Sequence, residues 1–507
     1  MRTLFRNYVS RILFRSLIFV LIALPLSAQR RIDFTLETAA EIAMQNSYEV
    51  QQLQLNIDRT RKWLEAERAG LKSRVYMRLQ APEFQAISDY KWNSILGRNE
   101  IVRQNTRLWQ MNLSIEQPVI LFGYPTNGYL SLNNRMYRYL QQDGVNDIQY
   151  YNRYFVRFEQ PLFQPNRLKN DIEEARIDLS QQELEYTEDL MDLLEETADD
   201  YYELLELSYR GIIYTDHIEN LEQAAMAVDS VITRDSSRSI EQTQIEVELA
   251  NARERLAQTQ SDLRLETSRM KQELRLPPED SLVIDPRTTV TQIQVDQDQA
   301  IEYGYNLHPQ LRLQHLRRRE EEIELENERG DNSFHLNLEM TYGLEKADPR
   351  YYNLWESQDN SYTVSLNAYL PIWDWGQRRA EIQARQITLK KRDLYLEEFR
   401  NEIRSEISND IVNLTEYQRR ALTMKENLTR AREISGISLD QYGTGQISMQ
   451  DLLQSFDREV ETAQNFLHAY LGYRNSLLSL MEDTYYDFER DQPILERFGV
   501  EQSMGEE

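Results

Sequence analysis

Gln160-Pro161-Leu162-Phe163 and Leu370-Pro371-Ile372-Trp373 decide the fold. The two prolines lie 210 residues apart. Each closes an alternating stretch and precedes a helix-forming run of about sixty residues. Nearly the same offset carries Gln242, near the start of the first return helix, onto Asp451 in the second. Upstream, Ala39 to Val50 lies over Ala300 to Leu311 at an offset of 261. The chain is therefore two copies of one unit: helix, strand, strand, very long helix, tip, returning helix. The drop from 261 to 210 leaves about 51 extra residues between the two strands of the first copy. That insert contains a decoy, Glu116-Gln117-Pro118-Val119, which mimics Glu159-Gln160-Pro161-Leu162.

Four strands are predicted. Val75, Met77, Leu79 and Ala81 alternate with Arg74, Tyr76, Arg78 and Gln80. Tyr154, Val156 and Phe158 alternate with Phe155, Arg157 and Glu159. Residues 334–342 and 362–370 repeat the pattern, whereas 83–148 reads as irregular and aromatic-rich with an extra hairpin. The insert is expected on the far side of the strands from the helices, where long loops of membrane barrels lie.

Helices are predicted over 34–72, 167–232, 240–275, 297–330, 378–441 and 449–484, with Thr35 capping the first. Leu168, Ile172, Ala175, Leu179, Tyr186, Leu190, Leu193, Tyr201 and Leu204 recur at steps of three and four, a coiled-coil seam. At 1.5 Å per residue, a helix of about 65 residues spans about 100 Å.

Residues 1–28 read as a signal peptide: Arg2, Arg6, Arg11 and Arg15, then an apolar run, then Leu26-Ser27-Ala28. The first repeat is 29–276, a linker covers 277–296, the second repeat is 297–484, and 485–507 is an acidic, loose tail. Net charge is −26, and the signal carries four arginines and no acid. The exported part is more acidic still, which excludes non-specific nucleic-acid binding. There is no cysteine, so neither a disulfide nor an acylated cysteine contributes.

Strands apolar on one face and polar on the other suit either a half-buried soluble sheet or a membrane barrel. Export, the aromatics beside the strands (Tyr150, Tyr151, Tyr154, Tyr351, Tyr352, Trp355, Trp373, Trp375) and helices that already have their own seams favour the barrel. Four strands do not close one, and an open edge is not tolerated in lipid. Three copies would give twelve strands. The fold class expected is α+β: a membrane β-barrel of four strands per chain, closed as a homotrimer and continuing into a periplasmic α-helical barrel.

This order of elements, duplicated after a signal, resembles the TolC family of outer-membrane efflux and secretion channels. Ala300…Pro309-Gln310-Leu311 is similar to the family's helix start, and Leu370-Pro371-Ile372 to its strand-to-helix junction. Tyr442-Gly443-Thr444-Gly445-Gln446-Ile447-Ser448-Met449-Gln450-Asp451-Leu452-Leu453 is similar to its tip. The resemblance implies an outer-membrane exit duct reaching into the periplasm of a Gram-negative cell. Its partners would be a periplasmic adaptor, an inner-membrane transporter and outer-membrane lipid.

It also implies an aperture at Asp451, whose three copies would ring the axis, with Gln454 where a second acid is expected. Tyr442 matches a latch whose arginine falls at Ile447. Gly443, Gly445, Ser448, Ser236, Ser237 and Ser239 mark the adaptor-contacting tips, and both glycines suit positive φ in the turn. Pro161 and Pro371 mark the strand-to-helix junctions. The five histidines at 217, 308, 315, 335 and 468 form no metal-spaced set. No cofactor, nucleophile elbow or phosphate loop is read, so no enzyme is expected. The other readings are a duct for one-step protein secretion and a periplasmic coiled-coil spacer that conducts nothing.

Overall fold

The structure is a computed structural model, and it describes residues 31–497 apart from 94, 96, 144, 235–239 and 332. The predicted signal lies outside the described residues. In chain order the elements begin β1 (Arg31–Phe34), α1 (Leu36–Asn46), α2 (Tyr48–Gly70), β2 (Arg74–Asn93), β3 (Arg98–Leu121), β4 (Tyr124–Asp143) and β5 (Val145–Leu162). Then come α3 (Arg167–Arg234), α4 (Ile240–Glu273), β6 (Ser281–Ile284), α5 (Gln297–Leu307), α6 (Pro309–Asp331), β7 (His335–Asp348) and β8 (Asp359–Tyr369). The last are α7 (Gln377–Gly443), α8 (Met449–Thr484), β9 (Tyr486–Asp487), β10 (Gln492–Pro493) and α9 (Ile494–Arg497).

Two compact units result. Of the described residues, one comprises those within Leu53–Glu188 and Pro309–Glu402; the other comprises those within 31–52, Asp189–His308 and 403–497. In the first, β2-β3-β4-β5-β7-β8 form one antiparallel sheet. The expected count of four strands is corrected to six, because the insert is not irregular: it is β3, β4 and the outer parts of β2 and β5. Two features hid it. Tyr129, Tyr137 and Tyr139 stand among the polar residues of β4 and blur the alternation. The β3–β4 turn is Phe122-Gly123, both at positive φ (53° and 87°). Such a two-residue turn is ordinarily signalled by Asn-Gly or Asp-Gly.

The sheet's two faces differ in kind. Val75, Ile115, Leu132, Val156, Tyr342 and Tyr362 form one row across all six strands. Each is 38% to 78% exposed. On the opposite face the row Arg78, Asn112, Arg135, Arg153, Glu345 and Asp359 is polar throughout. Arg153 pairs with Glu345 at 3.3 Å and Arg157 with Glu339 at 3.1 Å. A water-facing apolar surface this continuous is costly, at about 25 cal/mol per Å2; facing lipid, it is not.

Pro161 is the penultimate residue of β5 and Pro371 lies two residues past β8; neither is in a first helical turn, each being six residues before its helix starts at Arg167 or Gln377. Asp374 caps the second start, accepting from the Gly376 amide at 2.9 Å and the Arg378 amide at 3.2 Å.

In the second unit β1 pairs in parallel with β6, so the linker contributes a strand. Thr35 caps α1, accepting from the Thr38 amide at 3.2 Å, and Asp296, its equivalent at the same 261-residue offset, caps α5 through the Gln299 amide at 3.0 Å. Each predicted first helix is broken once, at Ser47 and at His308, again equivalent positions. Pro309 dictates the second break, since the residue before proline avoids helical backbone. Leu190, Tyr201 and Leu204 of the predicted seam are buried, joined by Met191, Leu194 and Ala198. Residues 485–497 are not loose: Tyr485, Tyr486, Ile494 and Leu495 are buried, and Tyr486 stacks on Tyr303 at 4.0 Å. Their apolar side chains outweigh the surrounding acids. Among the described residues no helix is long and apolar enough to cross a membrane.

Candidate functional site

The tip of the second hairpin is built by backbone chemistry. The Gln446 amide donates to the Gln441 carbonyl at 2.8 Å, and the Gly445 amide to the Tyr442 carbonyl at 2.9 Å, a Schellman closure of α7. Gly445 takes the left-handed φ of +83° that this closure needs. Gly443 does not share the role: it is the last residue of α7, and its φ is not positive.

The return helix α8 starts on a capping box. Ser448 Oγ accepts from the Asp451 amide at 3.2 Å, and the Asp451 carboxylate accepts from the Ser448 amide at 3.2 Å and from its hydroxyl at 2.7 Å. These hydrogen bonds hold the exposed Asp451 carboxyl below the usual range. Asp451 is thus charged at neutral pH, exposed and held in place. It lines an open cleft with Gln454, Ser455 and Arg458 of α8 and with Met424, Asn427, Arg430 and Ile434 of α7. Gln454 is exposed, as is Gln242 on α4. Ser236, Ser237 and Ser239 lie outside the described residues.

Tyr442 is fully buried in a core of Leu221, Ala224, Ile245, Met449, Leu452 and Phe456. Its hydroxyl donates to Glu241 of α4 at 2.6 Å. The resemblance implies an arginine at position 447, where this chain has Ile447; the observed partner of the Tyr442 hydroxyl is an acid contributed by the other repeat. Sequence reading missed Glu241, although an acid in the first turn of α4 was the available signal. Nearby, buried His217 sits in a cleft with Gln450, Gln454 and Asp457.

Further along the same unit, carboxyls gather. Burial, then the charges of Glu195 and Asp192, lift Glu482 to about 7. Burial and Asp410 push Asp483 up. Among the described residues, Asp200, Glu203 and Glu266 bring carboxylate oxygens within 4.8 Å of one another. Arg269 already answers them, at 3.9 Å from Asp200 and 3.6 Å from Glu266.

A sheet apolar on one face and polar on the other, with long helical hairpins, is the architecture to compare with known proteins. Residues 307–482 match the family of outer membrane efflux proteins. No curated protein matches the sequence. Among solved structures, the outer membrane protein VceC of Vibrio cholerae superposes with a TM-score of 0.64 at 11% identity, over 89% of this chain and 96% of that one. The outer-membrane channel CmeC of Campylobacter jejuni gives 0.62 at 11%, over 95% of each. The open state of the outer-membrane channel MtrE of Neisseria gonorrhoeae gives 0.58 at 13%, over 92% and 94%. The chain shares the fold of these outer-membrane channels, and its second repeat matches the outer membrane efflux protein family. The matched family and these solved neighbours are outer-membrane proteins.

Proposed function

We propose that this chain is one third of the exit duct of a tripartite efflux pump. A periplasmic adaptor and an inner-membrane transporter would deliver small molecules to it for release outside. The observation that carries the reading is the sheet: a continuous apolar row on one face and a charged row on the other. That pattern suits a wall between lipid and a water-filled lumen. The tip around Gly445 and Ser448 would meet the adaptor. Three copies of Asp451 would face one another at the constriction, where clustered carboxylates favour cations and repel each other. The role is conduction, with no bond made or broken.

The reading is tested in cells. Removing the protein should raise retention of a small fluorescent amphiphile, and re-expression should reverse it. A cysteine at Ser448 should cross-link to an adaptor. Unchanged retention together with no adaptor adduct would contradict the proposal.

A further inference from the structure

We propose that the assembled barrel wall holds eighteen strands, six from each of three copies, with β8 of one copy paired antiparallel to β2 of the next. This rests on the trimeric duct reading and departs from the twelve strands that the resemblance implies.

Three observations carry it. First, β3 and β4 keep both faces of the sheet in register: Ile115 and Leu132 continue the apolar row from Val75 to Val156, and Asn112 and Arg135 continue the polar row from Arg78 to Arg153. A loop outside the membrane has no reason to hold that phase. Second, β3 has 24 residues and β4 has 20, beyond the 9–11 needed to cross. Third, the β3–β4 turn lies at the helix end of the sheet. Asn127 Nδ2 donates to the Pro165 carbonyl at 2.6 Å, and Asn127 Oδ1 accepts from the Leu168 amide at 3.1 Å. Gln117 Nε2 donates to the Leu71 carbonyl at 3.1 Å. The insert therefore runs the full height of the sheet and returns, contrary to its expected place on the far side only.

Closure follows. The β2 and β8 edges carry unpaired backbone groups, and lipid offers them no hydrogen bonds. β2 leaves α2 and β8 leads toward α7, so the two edges run in opposite directions. Six is even, and the antiparallel order continues from copy to copy without a break. Barrel diameter grows roughly linearly with strand number, so the wall is about half as wide again as one of twelve strands. A mouth of that width does not sieve small molecules, which leaves selection to the tip.

The chain has no cysteine, so single introduced thiols report cleanly. Ile95 lies in the β2–β3 turn and is 92% exposed; Phe122 lies in the β3–β4 turn and is fully exposed. With a maleimide coupled to a globular protein too large to enter the lumen, applied to intact cells, Ile95→Cys should label. Phe122→Cys should label only once the outer membrane is opened, and Tyr124→Cys repeats the measurement should the first variant not assemble. Cysteines at Tyr76 or Arg78, combined with Thr363 or Ser365, should yield disulfide-linked trimers. Labelling of Phe122→Cys and Tyr124→Cys from outside, in variants that remain trimeric, overturns the eighteen-strand wall. Loss of the trimer in the unmodified protein overturns the duct reading instead.

Discussion

The hydroxyl of Tyr442, at the end of one repeat's long helix, donates to the carboxylate of Glu241, in the first turn of the other repeat's return helix, at 2.6 Å. The ring itself is fully buried. Packing and polarity are therefore separable. Tyr442→Phe keeps the packing and loses one charge-assisted hydrogen bond, at a cost of about 1.5–3 kcal/mol. Tyr442→Ala also opens a cavity and should cost about 3–5 kcal/mol. Denaturant unfolding of the detergent-solubilised protein measures both. Equal losses would assign the whole effect to the hydrogen bond, and no loss in Tyr442→Phe would assign it to packing.

Asp451 serves the capping box and, on the proposal above, the aperture. Asp451→Asn keeps an acceptor for Ser448 and removes the charge; Asp451→Ala removes both. Cation preference in planar bilayers should fall with either variant. Stability should fall mainly with Asp451→Ala, since a lost cap costs about 0.5–2 kcal/mol in general. Because its hydrogen bonds depress the carboxyl, the charge and its stabilising contacts are present at neutral pH. They are lost as pH falls through the lowered value, so selectivity should stay flat from about pH 8 to about pH 5 and collapse only below the ordinary carboxyl range of about 4. A decline already between about pH 7 and 6 would place the selective charge elsewhere.

Much of this was legible in the residues. The paired prolines, the polar stretch 233–239 and the Gly-x-Gly tip at 443–445 gave the two hairpins, because a run of sixty residues without glycine-rich punctuation has few alternatives to helix. Asp451 and Gln454 were singled out because the tip resembles a fixed order, and the structure leaves both exposed near the start of α8. Glu241 was not, because its partner lies two hundred residues away and only folding brings them together. The six-stranded sheet was half visible: alternation at Trp109, Met111, Leu113 and Ile115 is plain, but Phe122-Gly123 does not read as a hairpin turn. The structured stretch 485–497 was hidden by its acids, since composition does not reveal that Tyr485, Tyr486, Ile494 and Leu495 all turn inward.

Glu482, titrating at about 7, sets a pH dependence opposite in sign to that of Asp451. A buried acid with a raised value binds more protons folded than unfolded between about 4.3 and its own value, so stability falls as pH rises through that window. Asp483, lifted by burial and by Asp410, acts the same way. The thermal midpoint should drop from about pH 5 to about pH 8, and Glu482→Gln should flatten the slope. A midpoint that rises over that range would contradict the assignment.

Gly472 of α8 faces Tyr417 of α7 so closely that an added Cβ would stand 2.5 Å from two ring carbons. Alanine normally favours a helix by about 1 kcal/mol over glycine. Overpacking costs about 1–3 kcal/mol, so Gly472→Ala should be net destabilising. Adding Tyr417→Leu should recover part of the loss. Thermal unfolding of the single and double variants checks it; a stabilising single variant would mean the helices shift freely at this contact.

The central claim is that copies of this chain close into a water-filled pore across the outer membrane. Single-channel recording on the purified full-length protein in a planar bilayer, with native mass measured on the same preparation, tests it most directly. A trimer that conducts in discrete, weakly cation-preferring steps is the expected result. A monomer, or a trimer that binds the bilayer and never conducts even when Tyr442→Ala loosens the tip, would contradict it.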